Sequence, residues 1–347
     1  MNIRPILFLI FVLLMAGCKQ AKKDMTYVLM VEEQGSFAVG GTVLTDSVGH
    51  KYHGDHAYVF YQKTVNARKY PLVFAHGVGQ FSKTWETTPD GREGFQNLFL
   101  RRHYSTYVVD QARRGDAGRS TDTVTIKPVF DEELWFNRFR IGLWPNYFEG
   151  VSFKQDEETL DQFFRQMTPN IGKKDLDVYA NAYAALFDKI GSAIFMVHSQ
   201  GGAVAWQTLP KTSNIKAIIA LEPGGNVPFP EGQKPVEGDV KTSDKTGTEG
   251  VEVPMSVFKK FTQIPILVCY GDNLPETEEH PEQYEWTRRL HLMRTWAKML
   301  NDQGGDVTVV HLPEIGLKGN THFIMSDLNN VEVADFLSEW LHEKGLD

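Results

Sequence analysis

The sequence predicts an α/β fold: a mostly parallel central sheet, helices on both faces and a helical insertion over the strand ends. Three observations carry this. From residue 70 onward, short apolar runs alternate with stretches of helical spacing. The runs are almost continuously apolar, as strands buried on both faces of a parallel sheet must be. The chain of 347 residues, 41% of them apolar, is long enough for one large core. Its net charge of -8, from 36 basic and 44 acidic side chains, excludes the basic footprint that a nucleic-acid partner requires.

Residues 1–17 read as a secretory signal. Arg4 supplies the positive start, and the apolar run 6–15 is too short to span a bilayer. It ends in Leu14-Met15-Ala16-Gly17-Cys18, small residues before a cysteine, which resembles the lipobox of bacterial lipoproteins. Cys18 is therefore the expected lipidation site, tethering the chain to a membrane of the cell envelope, at the outer membrane or periplasmic face. Lys19 lacks the aspartate associated with inner-membrane retention. Residues 18–26 form a polar tether and 27–347 the folded domain. The other cysteine, Cys269, lies in an apolar run and is expected to pack.

Within the domain, 27–31 and 56–61 read as β-rich. Strands are then expected at 71–75, 104–109, 193–197, 215–221, 264–270 and 307–312. Helices are expected at 95–102, 179–190, 202–209, 283–301 and 331–344. Two stretches break the alternation. Residues 121–175 are rich in Trp and Phe and suggest a helical cap. Residues 223–254, rich in Gly, Pro and charge, suggest a flexible surface loop.

Val197-His198-Ser199-Gln200-Gly201-Gly202 lies between an expected strand and an expected helix, the context of a nucleophile elbow. Ser199 is the candidate nucleophile and His198 a spacer. Gly201 is small, as a strained turn needs; Val197 is larger than the usual Gly or Ala. The backbone N–H of Gln200 and that of Val78, in His76-Gly77-Val78-Gly79, are the candidate oxyanion donors, with Gly79 next after Val78. His322, after the last strand, is the candidate base, and His311 is expected to pack within that strand. The carboxylate that orients the base is expected to be Glu222, at the end of the 215–221 strand. Asp272 is the alternative, since the Gly-x-x-Asp position after the next strand holds Leu274. The chain order Ser199, Glu222, His322 is the one this arrangement requires. His50-Lys51-Tyr52-His53-Gly54-Asp55-His56 reads as a polar turn rather than a metal cluster, and Arg114-Gly115-Asp116 as part of the fold. No dinucleotide fingerprint is present, so no metal or cofactor is expected.

A set of stretches extends from about Tyr27 to the C-terminus. They are His76-Gly77-x-Gly79; Thr84-Trp85-Glu86-Thr87-Thr88-Pro89-Asp90-Gly91-Arg92; Asp110 with Arg114-Gly115 and Ser120; His198-Ser199-Gln200; Glu222-Pro223-Gly224; and Gly319-Asn320-x-His322. With them the chain resembles the bacterial serine esterases of the esterase-713-like group of α/β-hydrolases. Some relatives carry two adjacent cysteines where this chain has Val78-Gly79. The resemblance implies a glutamate acid after the earlier strand, hydrolysis of carboxylic esters through an acyl-enzyme, and a homodimer. The aromatic cap suggests an apolar or aryl small-molecule ester. Two other activities remain open: lactone, thioester or amide cleavage by the same residues, and ligand binding on a hydrolase fold without catalysis.

Overall fold

The computed structural model describes residues 28–235 and 249–347. The signal segment, Cys18 and the tether therefore lie outside the described residues. In chain order the elements are β1 (Val31–Thr45), β2 (Lys51–Thr64), β3 (Leu72–Ala75), α1 (Phe95–Arg101) and β4 (Thr106–Asp110). Next come α2 (Glu132–Arg138), β5 (Gly142–Leu143), β6 (Asn146–Tyr147), α3 (Glu157–Arg165) and α4 (Leu176–Ile190). They are followed by β7 (Ala193–His198), α5 (Gln200–Thr208), β8 (Ile215–Leu221), β9 (Val227–Pro230), β10 (Gly250–Val253) and α6 (Met255–Phe258). The chain closes with β11 (Pro265–Tyr270), α7 (Pro281–Asn301), β12 (Asp306–His311) and α8 (Asn330–Glu343).

The main sheet has eight strands in the order β1-β2-β4-β3-β7-β8-β11-β12. β1 pairs antiparallel with β2, and β2 with β4; every later pair is parallel. The parallel strands are the near-continuous apolar runs, and β3, β7 and β8 are buried almost throughout. Each face carries its own core. On one face, Tyr183, Phe187 and Leu186 of α4 and Trp296 of α7 pack on alternate strand residues such as Phe195 and Ile218. On the other, Phe95 and Phe99 of α1 and Leu337 of α8 cover Phe74, Met196 and Ile219. This is the α/β-hydrolase fold, and it brings the C-terminal ends of β3, β7, β8, β11 and β12 to one edge, where sites in parallel sheets form.

Two parts differ from expectation. Strand β1 runs over 31–45, not 27–31, and with β2, which takes in 51–56 in place of the expected polar turn, makes a long antiparallel ribbon. Its polar, glycine-containing sequence hides it, because most of its residues are exposed and it needs little apolar alternation. Within 223–254, Val227-Pro228-Phe229-Pro230 and Gly250-Val251-Glu252-Val253 pair in parallel as β9 and β10. The charged and glycine-rich composition around them concealed two short β-forming runs.

The 121–175 stretch contains α2, the short β5–β6 hairpin and α3. Phe136, Phe139, Phe153 and Phe163 are buried and join the second core. Phe139 and Phe163 pack edge-to-face against each other and against Phe323. The insertion is thus anchored by aromatic contacts to the segment that follows β12.

Candidate active site

β7 ends at His198, and Ser199 turns the chain into α5 with φ of 52° and ψ of -120°. A side chain tolerates this conformation poorly, at a cost of about 1–3 kcal/mol, so the surroundings must enforce it. Two hydrogen bonds fix the turn on the acceptor side: Gly202 N and Gly224 N both donate to Ser199 O. Two glycines make room for it. A Cβ on Gly201 would sit 2.8 Å from Ala75 O and 3.3 Å from Val197 Cβ. The bulk of Val197 is therefore accommodated by the missing side chain at 201. A Cβ on Gly77 would sit 2.8 Å from Ser199 Cβ and 3.3 Å from its Oγ. The 76–79 loop can touch the serine only because residue 77 is glycine.

Glu222, at the end of β8, also has positive φ, 49°, and is fully buried. Its Oε2 lies 3.2 Å from His322 Nδ1. Its Oε1 accepts from Arg140 Nη2 at 2.5 Å and from the Gly271 N–H. Asp272 is engaged elsewhere: its carboxylate accepts from Gly319 N and Asn273 N, both at 2.7 Å. The structure thus places Glu222 against His322 and leaves Asp272 tying the end of β11 to the histidine loop.

His322 is held on every side. Its ring stacks on Phe139 at 5.0 Å and packs against Trp286 and His198 at 4.1 and 4.6 Å between centroids. Its N–H donates to Phe139 O, and its carbonyl accepts from His198 Nε2 at 2.9 Å. Just before it, Thr321 N and Oγ1 and Asn320 Nδ2 donate to the buried Asp327. Burial pushes the Asp327 carboxyl up to about 7. Burial, then Arg140, Arg289 and Arg138, holds the His322 imidazole well below the ordinary 6.5. His322 Nε2 is buried with no hydrogen-bond partner among the described residues, a free basic nitrogen on the side away from Glu222.

The 76–79 loop is oriented from beneath. His76 Nε2 accepts from Gln111 N at 3.3 Å, so the proton sits on Nδ1, which donates to Gly77 O at 3.0 Å. Burial lowers its pKa to about 3, keeping it neutral. Arg114 Nη1 donates to the same carbonyl at 2.7 Å. In a planar trans peptide the N–H points opposite to the C=O. With Gly77 O turned to the interior, Val78 N–H is turned outward. Neither Val78 N nor Gln200 N has an acceptor among the described residues. Arg114 is almost fully buried and makes no ion pair among the described residues. Its other bonds go to Asn170 Oδ1 and Gln80 O.

Ser199 opens on a cavity of about 320 Å³ whose walls include Val78, Trp135, Phe139, Gln200, Trp286, Arg138, Lys174 and Arg289. Sequence reasoning missed Phe139, Arg140, Trp286 and the bond that His198 makes. Arg140 lies 82 residues from Glu222, and nothing local in its sequence marks it.

Two comparisons accompany this geometry. The chain is 27% identical over 340 residues to "Probable secreted lipase phiG" of Fungal sp. (strain ATCC 74256), covering 86% of this chain and 88% of that one. It superposes on the solved structure of a bacterial esterase with a TM-score of 0.72 and 28% identity, over 91% of this chain and 97% of the other. No family model matches the chain.

The Arg140–Glu222 pair generates a stability prediction. Removing one partner of a buried ion pair leaves the other charge unmatched, at a cost of about 3–5 kcal/mol. Arg140→Ala should lower the stability seen in urea unfolding by that amount, and adding Glu222→Gln should restore part of it. Equal unfolding midpoints for wild type and Arg140→Ala would show that the pair carries no such weight.

Proposed function

We propose that the protein is a carboxylic ester hydrolase working through a Ser199, His322, Glu222 triad and an acyl-enzyme. The observation that carries this reading is the buried Glu222–His322 contact at 3.2 Å, with the opposite imidazole nitrogen unpartnered beside the turn that presents Ser199. The similarity to an esterase and a secreted lipase supports the substrate class. His322 Nε2 takes the Ser199 proton as Oγ attacks the ester carbonyl. The tetrahedral oxyanion is received by Val78 N–H and Gln200 N–H. His322 then protonates the leaving alcohol. Water, deprotonated by the same nitrogen, releases the acid. Glu222 holds the tautomer with the proton on Nδ1 and stabilises the imidazolium that forms. Catalytic contacts of this kind close fully only around substrate, so no Ser199–His322 hydrogen bond is required beforehand.

Arg114 has two effects in this scheme. It fixes the Gly77 carbonyl, and hence the direction of Val78 N–H. It also places an unpaired buried positive charge behind the peptide that receives the oxyanion. Attachment at the envelope through Cys18 completes the proposal; it rests on the lipobox sequence. Among the described residues no helix is long and apolar enough to cross a membrane.

The test is an assay of a ladder of p-nitrophenyl esters. Ser199→Ala should lose activity by roughly a million-fold, as loss of a triad serine does elsewhere. Glu222→Ala should lose activity strongly while Asp272→Ala retains most of it; the reverse pattern would move the acid to Asp272. If a fluorophosphonate fails to label the folded wild type, the reading of a binding protein on a hydrolase fold prevails.

The depressed pKa of His322 sets the sign of the pH dependence. The reaction needs neutral imidazole, and a lowered pKa keeps it neutral to lower pH. The acid limb of kcat/KM should therefore fall below the ordinary histidine value of 6.5. A limb at or above 6.5 would contradict the buried, Arg140-shielded imidazole.

Arg114→Lys keeps a charge but cannot hold Asn170 and Gly77 together with a planar fork. It should lower kcat by about tenfold to a hundredfold with KM nearly unchanged, as loss of a transition-state interaction does. A rise in KM alone would place Arg114 in ground-state binding instead.

A further inference from the structure

The charges around Ser199 do not cancel locally. Arg140 is matched by Glu222, Arg289 by Glu249, and Arg138 by Glu285, which also reaches Arg289. Arg114 is unmatched but buried beneath the oxyanion loop. That leaves Lys174, which lines the same cavity as Ser199 and has no hydrogen bond or ion pair among the described residues. Lys174 also lines an adjoining cavity of about 480 Å³, with Gly225, Asn226 and Arg289 common to both; Asp175, Asp177 and Glu249 line that second cavity only, so the excess positive charge is confined to the serine side. Lys174 therefore stands where the serine cleft opens into a second space.

The environment of its ammonium is unusual for an exposed lysine. Partial burial, then the nearby Arg289 and Arg114 charges, holds its pKa below the usual lysine value, with Glu249 pulling the other way. A cation pressed by two other cations gains from an incoming anion more than a solvated surface lysine does. Trp135, Phe139 and Trp286 line the same cavity, with Arg138 over the Trp135 ring at 5.8 Å and Arg289 over the Trp286 ring at 4.4 Å. The cleft thus interleaves aromatic rings with cations.

Resting on the esterase reading, we propose that the substrate is an ester with a carboxylate elsewhere in the molecule, and that Lys174 binds this carboxylate while Ser199 attacks the ester. The apolar part of such a molecule lies along the aromatic rings. This adds a carboxylate to the apolar or aryl ester expected from the sequence: the aromatic rings take the apolar part, and the free charge supplies selectivity. A small cavity favours a short spacer between the two groups.

The experiment is a binding measurement that needs no turnover. Adipamate, which has one amide end and one carboxylate end, is compared with adipamide by calorimetry on the wild-type chain at low salt. Adipamate should bind about five- to tenfold more tightly, with the difference shrinking as salt is raised. In Lys174→Met the preference should vanish. Lys174→Arg, which retains the charge, should keep it. Equal binding of the two ligands by wild type would overturn the proposal. So would a preference that survives in Lys174→Met, since that would place the carboxylate at the oxyanion donors. Because calorimetry here reads binding rather than turnover, the ester assay judges the catalytic reading separately. Carboxylate binding without esterase activity would uphold Lys174 as the carboxylate site and overturn the ester-cleaving reading.

Discussion

A carboxylate with no access to water must be surrounded by donors and opposite charge, or it takes up a proton instead. Glu222 is such a group, and much of the site's construction follows from it. One oxygen faces Arg140 and the Gly271 N–H, and the other faces His322. Arg140 arrives from the insertion, Gly271 from the end of β11, and His322 from the loop after β12. One buried charge thus brings together three segments distant in sequence. Phe139, the neighbour of Arg140, stacks on the imidazole and accepts its backbone N–H. The insertion therefore belongs to the site's framework and does more than cover it.

The same centre concentrates backbone strain. Ser199, Glu222 and Arg140 all have positive φ, at 52°, 49° and 58°. None is glycine, so each is held in place by its contacts. Glycines supply the room: residue 77 lets the 76–79 loop meet Ser199, and residue 201 relieves Val197. The valine that departs from the usual elbow pattern is compatible with it because the partner position gives way.

Legibility in the sequence followed distance along the chain. Ser199 and Glu222 each directly follow a buried apolar strand, and a strand end followed by a reactive residue is a local pattern; His322 lies in the loop after the half-buried β12. β7, β8 and β11 were legible for the same reason, being fully buried and so nearly continuously apolar. The preference for Glu222 over Asp272 could be argued from the missing Asp at position 274; in the structure Glu222 contacts His322, while Asp272 accepts from Gly319 N and Asn273 N. Arg140, Phe139 and Lys174 were not legible. Their significance lies in partners far away in sequence, and an arginine after a helix carries no local mark of a buried ion pair. β1 was missed for the opposite reason: an exposed ribbon takes its order from backbone pairing, and its side chains record little of it.

Charge acts at two ranges here. The chain as a whole carries -8, which repels anions at long distance. At physiological ionic strength that field decays within about 8 Å, so a ligand inside the cleft feels mainly the groups that line it. Those groups include three cations, and their carboxylate partners leave the Lys174 ammonium uncancelled. Global and local charge therefore have opposite signs, and only the local one acts at Ser199. A cleft built this way favours anions inside it without attracting polyanions to the protein's surface. Its selectivity then resides in a few side chains around the serine rather than in the composition of the chain.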